Sequence, residues 1–305
     1  MPESVQRACP VCGEVSAKEF MRKKGLRLVR CLRCAMIYTN PVDAGLVSGA
    51  FYEALAEGFY LAPDKVEADY AAVRFARELR LLRRFCARGR ILDVGCSNGA
   101  FLFQLGQHFP GDYGILGVDV AGPALDYAAS RGVPVRRGAF LEMDFEQRFS
   151  AVTFWATLEH IVDPAPFLAR AAAVLEPGGH CFALAPNFRS LAVRLLGAKY
   201  RYILPQHVNY FTAETLRALA GRERTFEIAA VGSTHFNPAV IWQDWRRRGP
   251  VSDADRVELL KRTTALKRNP MLGPLKLALA VAEKALGAVF LADNLTMVLR
   301  RRSDG

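Results

Sequence analysis

Four cysteines in two CxxC pairs, Cys9 with Cys12 and Cys31 with Cys34, are the residues whose spacing most directly implies chemistry. Each pair offers two thiolates from one tight turn, and two such turns about 18 residues apart can close a tetrahedral shell around zinc at about 2.3 Å. Gly13 follows the second thiolate and lets the first turn fold back toward the metal, whereas Ala35 stands at that place in the second turn. Four protein ligands leave no open coordination position, so the expected zinc is structural. It contributes ~10 kcal/mol or more to folding a segment too short for a core of its own. A redox dithiol would need only one CxxC, in a βαβ context that is absent here.

A second constellation is Gly95-Cys96-Ser97-Asn98-Gly99, set between the apolar run Ile91 to Val94 and a helix opening at Ala100. Strand, Gly-rich turn and helix N-terminus together bring free backbone N–H groups against a ligand, as in nucleotide-type cofactor sites. Gly95 permits the tight turn, and Gly99 close packing of helix on strand. Asp119 ends the next strand, 20 residues beyond Gly99, the distance at which a βαβ unit delivers an acid to ribose; its two oxygens are expected to bind both hydroxyls. The same turn spells the nucleophile elbow of α/β-hydrolases with Ser97 as attacking group, but that elbow normally follows several strands, and only the ribbon and a helix precede it here. A dinucleotide fingerprint would want a third glycine.

The elements that must position these residues follow from periodicity. Spacing of Val66, Tyr70, Val73, Ala76, Leu79 and Leu82 predicts one amphipathic helix over 64–86. From Arg90 short apolar runs alternate with helical stretches. Strands are expected at 90–94, 114–119, 133–137, 150–155, 179–185, 225–232 and 294–300, with helices at 99–109, 123–131, 165–175 and 212–221. That alternation predicts an α/β fold with a parallel sheet and helices on both faces. With 305 residues, 51% hydrophobic and 23% charged, the chain is long enough for one large domain or two modest ones, and disorder is excluded. The region before Gly13 lacks the apolar core of a signal peptide, and the longest apolar stretch, 272–292, is broken by Lys276, Glu283 and Lys284, so neither secretion nor a membrane span is expected.

From this point the residues resemble the class I S-adenosylmethionine-dependent methyltransferases. Asp93-Val94-Gly95-Cys96-Ser97-Asn98-Gly99 resembles the family's first motif and Gly117-Val118-Asp119 its ribose motif. Leu158-Glu159-His160 with Asp163-Pro164 resembles the segment after strand four. Leu175 to His180 is similar to the turn before strand five. Pro205 to Thr212 resembles an element found in a subgroup that often carries an N-terminal zinc ribbon. The resemblance implies a Rossmann-like seven-stranded sheet whose last strand is antiparallel, with helices on both faces. It implies the division 1–40 zinc ribbon, 41–88 helical linker or lid, and 89–305 methyltransferase domain with a helical insert at about 236–291. Carried over by position, Asp93, Gly95, Cys96, Ser97 and Gly99 would face the methionine part of S-adenosylmethionine, Asp119 with Val120 the ribose, and Ala139 with Phe140 the adenine, and Trp155 completes the cofactor set. Ser97 stands where the motif usually has Gly, Ala139 where an acid often meets adenine, and Ser150 where an Asp often opens strand four.

What the resemblance implies for chemistry is methyl transfer in which the protein mainly aligns the nucleophile and excludes water. For a hydroxyl acceptor a base is also required, and His160 and His207 are the candidates because imidazole titrates near neutrality. Glu159 is expected to orient its neighbours. Tyr52 and Tyr60 could cover the sulfonium by cation–π attraction or pack under the linker. His108, His180 and His235 lack motif context and are taken as surface or packing residues. The expected acceptor is a small molecule or glycan, methylated on O or N.

Charge leaves other partners open. The net charge is +11, and residues 239–305 hold 13 basic against 7 acidic residues, including Arg246-Arg247-Arg248, Lys261-Arg262 and Lys267-Arg268. An amphipathic helix is expected at 274–291, either as a cap on the sheet or as a peripheral contact with a membrane or a lipid-linked substrate. An RNA-base methyltransferase gripping phosphates, and a catalytically silent cofactor-fold binding protein, are the competing readings. The expected location is cytoplasmic, with peripheral membrane contact as the variant.

Overall fold

The computed structural model describes residues 4–23, 25–247, 252–268 and 273–303. The chain opens with β1 (Ser4–Val5), β2 (Ala17–Lys23), β3 (Leu26–Cys31), β4 (Ile37–Thr39) and β5 (Val42–Asp43), followed by α1 (Ala44–Ser48), α2 (Ala50–Leu55), α3 (Pro63–Asp69) and α4 (Ala76–Phe85). The alternating part contains β6 (Gly89–Val94), α5 (Ala100–His108), β7 (Tyr113–Asp119), α6 (Gly122–Ser130), β8 (Val135–Arg137), β9 (Phe149–Trp155), α7 (Pro164–Val174) and β10 (Leu175–Pro186). Then come α8 (Leu191–Leu196), β11 (Asn209–Tyr210), α9 (Ala213–Ala220), β12 (Phe226–Thr234), α10 (Pro238–Arg246), α11 (Asp253–Arg268), α12 (Gly273–Ala288) and β13 (Asn294–Arg301).

Seven strands form one sheet in the order β12-β13-β10-β9-β6-β7-β8. The pairs from β10 through β8 are parallel, and β13 runs antiparallel to both neighbours. Its two faces follow from the period-two alternation of side chains along each strand. Ile91, Ala151, Phe182 and Val298 pack against Leu79, Leu82, Phe101 and Leu105 of α4 and α5. Their sequence neighbours Leu92, Val152, Ala183 and Leu299 pack on the opposite face with Leu168, Leu216 and Leu219 of α7 and α9. The loops at the carboxyl ends of β6, β7, β8 and β9 therefore gather along one edge, the usual ligand edge of an open α/β sheet.

The cysteine segment is not a free-standing appendage. β11, from the chain beyond β10, is the fourth strand of the β11-β4-β3-β2 sheet. Cys9, Val11, Cys31, Met36 and Tyr38 belong to the same apolar core as α7 and α9.

One sequence expectation changes. The helix expected over 64–86 is two helices, separated by turns at residues 70–75. Tyr70 caps α3, its N–H still donating to Val66 O (2.9 Å), while its hydroxyl donates to Asn98 O (2.6 Å) and its carbonyl accepts from Gln104 Nε2 (2.6 Å). The helix expected at 274–291 is present as α12, which packs on β12 with Leu279, Ala282 and Leu286 half-buried and leaves Leu275, Leu277 and Val281 exposed. Arg248, and the side chains of Lys267 and Arg268, lie outside the described residues.

Candidate active site and cysteine cluster

A cavity of about 1240 Å³ lies at the carboxyl edge of the sheet. Asp93, Gly95, Cys96, Ser97, Asp119, Val120, Ala139, Phe140 and Trp155 line one part, and His160 and His207 line another. Gly99 is outside the lining. It has φ +73°, and a Cβ there would lie 2.7 Å from Ala128 and 3.3 Å from Val133. Its close packing is thus against α6 and the chain entering β8, not against a strand.

The turn after β6 requires left-handed backbone at three positions, Gly95 (φ +76°), Ser97 (φ +49°) and Gly99. Ser97 therefore does not have ordinary backbone angles, which gives a local reason for the glycine usual at that place. The Ser97 hydroxyl is buried without a hydrogen-bond partner. Asp119 organises this loop: Oδ2 accepts from Ser97 N (2.8 Å), and Oδ1 from Val120 N (2.7 Å) and Ala121 N (3.0 Å). Three backbone donors thus use most of the roughly four acceptor positions of a carboxylate, so the carboxylate holds its own loop as well as facing the cavity. Burial raises Asp119, against the pull of those N–H groups. Asp93 is fully enclosed, and burial lifts its carboxyl to about 7 even though Thr153 Oγ1 donates to it at 2.6 Å. Ser150 bonds across the start of β9, accepting from Arg90 N and donating to Glu176.

A lid of chain from α2 to the turn after α3 crosses the Gly-rich loop. Asn98 Nδ2 donates to Tyr60 O and Asp69 Oδ2, both at 3.4 Å. Asp69, 5% exposed, also pairs with Lys65 and with Arg74 (3.5 Å). Burial alone would raise Asp69, but the two cations and Asn98 outweigh it and hold the carboxyl below its ordinary range. Tyr52 and Tyr60 line the cavity in this lid, and Tyr52 donates to His160 O (3.2 Å). Sequence reasoning missed Asn98, Asp69 and Lys65 as a unit, because they meet only through tertiary contact.

At the far end of β9, Glu159, His160 and His207 come together, with one polar atom from each within 4.8 Å of the others. The imidazole rings meet edge to face, 4.7 Å between centroids, and Tyr52 lies edge-on to His160 at 5.8 Å. Burial, then the charge of Arg256, lowers His160 to about 4, and burial, then His160 and Arg256, lowers His207 well below the ordinary imidazole value. Both rings are therefore neutral near pH 7. His160 Nδ1 and Glu159 Oε2 are buried without hydrogen-bond partners, and burial raises Glu159 to about 8. The backbone carbonyl of Glu159 accepts from Val208 N and Asn209 N, which ties the two histidine loops together through the main chain. His235, taken from sequence as a packing residue, lines the same cavity. The remaining wall comes from α10, α11 and α12, through Val240, Arg256, Leu260, Leu275 and Leu279.

The four cysteine sulfurs also lie within 4.8 Å of one another, with Cys9 to Cys34 and Cys12 to Cys31 each at 3.5 Å. Ligands at 2.3 Å in a tetrahedron are about 3.8 Å apart. The cluster fits a zinc ion.

A family model described as a methyltransferase domain matches residues 68–231. The chain is 33% identical over 144 residues to a ubiquinone biosynthesis O-methyltransferase of Bradyrhizobium sp. (strain ORS 278), across 43% of this chain and 54% of that one. It therefore spans about half the length of such curated relatives. Among solved structures it is similar to a Thermotoga maritima S-adenosylmethionine-dependent methyltransferase, a possible histamine N-methyltransferase, with TM-score 0.52, 17% identity and coverage of 82% and 100%. It is also similar to phosphoethanolamine N-methyltransferase 2 of Haemonchus contortus in complex with S-adenosylmethionine, with TM-score 0.52, 16% identity and coverage of 88% and 63%. At these identities the structural likeness is one of fold.

Proposed function

The chain belongs to the methyltransferase domain family, with the class I S-adenosylmethionine-dependent fold, and from that membership we propose that it methylates a hydroxyl oxygen of a small molecule. The observation that carries this reading is one continuous cavity joining the Asp119 crevice to the buried His160–His207 pair. The Asp93-to-Gly99 turn, Asp119 with Val120, and Ala139 with Phe140 would hold S-adenosylmethionine, with Trp155 closing the inner wall. Bound there, the cofactor supplies an electrophilic methyl carbon on a sulfonium sulfur.

The chain's own residues align, exclude water and take a proton. The lid from Tyr52 to Arg74 and the apolar wall from Leu260, Leu275 and Leu279 keep bulk water from the reacting atoms. The acceptor hydroxyl would lie in line with the methyl group that the cofactor supplies, and His160 Nδ1 would take the hydroxyl proton as the ether forms. A weakly basic imidazole suffices, because the hydroxyl becomes strongly acidic as the oxygen gives up its electron pair. His207 packs on the His160 ring and fixes its orientation. Cys9, Cys12, Cys31 and Cys34 would hold a structural zinc ion.

Incubating metal-replete protein with methyl-labelled cofactor and fractionated cell extract tests this. Label is expected in a low-molecular-mass fraction as an ether. Label in RNA would favour the nucleic-acid reading, in a sugar fraction the glycan reading, and in no fraction a silent binding protein. Metal analysis substantially below one zinc per chain would remove the ribbon assignment.

A further inference from the structure

We infer that Arg7 is a positioning residue that clamps the loop carrying His160 to the loop carrying His207, a role that rests on the pair forming the acceptor site. Arg7 stands two residues before Cys9, and its guanidinium reaches across the molecule. Nη1 donates to Val162 O (2.7 Å), and Nη2 donates to Val208 O (3.0 Å) and to Asn209 Oδ1 (2.6 Å). Asn209, 2% exposed, then donates through Nδ2 to Leu158 O (3.1 Å) and Ile161 O (2.6 Å). One cation and one amide thus join both histidine loops.

Neither loop is regular structure, and buried irregular backbone must find partners for its carbonyls. A planar guanidinium can serve acceptors on two loops at once, which the single ammonium of Lys cannot do in the same geometry. The clamp is itself anchored. Arg7 N donates to Asn40 Oδ1 (3.1 Å), and Asn40 Nδ2 donates to Arg7 O (3.2 Å). The guanidinium lies 5.1 Å from the Tyr38 ring centroid, and Thr39 N donates to Val208 O (3.0 Å). The edge-to-face contact of the two imidazoles depends on where these loops sit relative to each other. A displacement of about 1 Å in such a pair is enough to spoil a reaction geometry. In this arrangement the cysteine segment acts on the acceptor side of the cavity through Arg7.

The test needs no acceptor. Histidine side-chain signals of the full-length, zinc-loaded chain are followed by NMR through a pH titration in wild type, Arg7→Met and Arg7→Lys. Zinc content and S-adenosylhomocysteine affinity are measured in parallel. The groups facing the pair, namely Glu159, Tyr52 from α2, Tyr202 and Arg256 from α11, are unchanged in these variants.

In Arg7→Met water gains access between the loops, and the His160 and His207 signals shift and titrate about one unit or more closer to 6.5. His108 and His180 stay in place as internal controls, zinc is retained, and Kd for S-adenosylhomocysteine stays within about twofold. Arg7→Lys gives a smaller displacement of the same signals. Unmoved His160 and His207 signals overturn the proposal, and so does a uniform shift of all histidines together with lost cofactor affinity. If Arg7→Met does not fold, Asn209→Asp decides: it keeps the acceptor for Arg7, removes the donors to Leu158 O and Ile161 O, and must move His160. Absence of S-adenosylhomocysteine binding by the wild type would sink the methyltransferase reading, whereas the histidine shifts report on the clamp alone.

Discussion

Burial keeps His160 neutral near pH 7, the form that the proposed role of proton acceptor requires. With its pKa lowered to about 4 and Nδ1 unpartnered, the ring has a lone pair to offer at any physiological pH. Replacing His160 by Phe keeps an aromatic ring beside Tyr52 and should reduce methyl transfer about 100-fold or more, with cofactor affinity nearly unchanged. Initial rates and calorimetry measure the two effects, and a rate within about threefold of wild type would remove His160 from the mechanism. Glu159 carries a stability prediction. Its folded value of about 8 lies above the ordinary 4.5, so the folded state retains the proton longer than the unfolded chain. The resulting stability is complete below about 4.5 and is lost as pH rises through about 8. Glu159→Gln should therefore flatten the decline in denaturation midpoint between pH 5 and 9, and an unchanged slope would contradict the assignment. Asp93, raised to about 7 by burial, contributes in the same sense and remains in the variant. Of these residues, His160 and Asp93 were legible because they sit in local motifs. Their electrostatics were not legible, since burial is set by distant chain.

At the scale of elements, most strands and helices between residues 89 and 234 fall within about two residues of the positions read from periodicity, because each parallel strand is a short apolar run and each helix an amphipathic one, whereas β10 begins four residues early and α8 and β11 were not expected. The cysteine turns were legible for the same local reason. What periodicity could not see is the break between α3 and α4. Apolar spacing continues through it, whereas Asn98 and Gln104, far along the chain, bond Tyr70 at the point where α3 ends. Nor did spacing show that β11 completes the ribbon sheet, a two-residue strand paired 171 positions away from Tyr38. The lid formed by α3 depends on Asp69. Asp69→Ala leaves the half-buried Lys65 ammonium without its carboxylate and should cost roughly 1 to 3 kcal/mol. Because Asp69 also holds Asn98 in the Gly-rich turn, S-adenosylhomocysteine affinity should fall with it. Calorimetric binding combined with urea denaturation checks both losses. Loss of stability with intact affinity would show that the lid does not shape the cofactor side.

For the whole molecule, the helices between β12 and β13 present exposed aromatic, apolar and basic side chains. Trp242 and Trp245 are 56% and 66% exposed on α10, and Leu277 and Val281 are 68% and 62% exposed on α12. Exposed Arg246, whose guanidinium lies 4.8 Å from the Trp242 ring centroid, and exposed Lys284 accompany them. No helix among the described residues is long and apolar enough to cross a membrane. Indole rings beside basic side chains instead suit the interfacial layer of an anionic bilayer, with about 1 kcal/mol gained for each basic residue near the surface. Leu275 is both half-exposed and part of the cavity wall, so a molecule resting in that layer would lie next to the acceptor side. This favours an amphiphilic acceptor within the small-molecule reading. Sedimentation with phosphatidylglycerol vesicles should carry the protein down at low salt and release it as ionic strength rises, while neutral phosphatidylcholine vesicles should leave most of it in solution. A Trp242→Ala, Trp245→Ala double variant should lose most of the bound fraction, since each indole buries a large apolar area at such an interface, without any change in cofactor affinity. Equal binding by the double variant, or no binding by either protein, would assign these helices to capping the sheet and leave the acceptor free in solution.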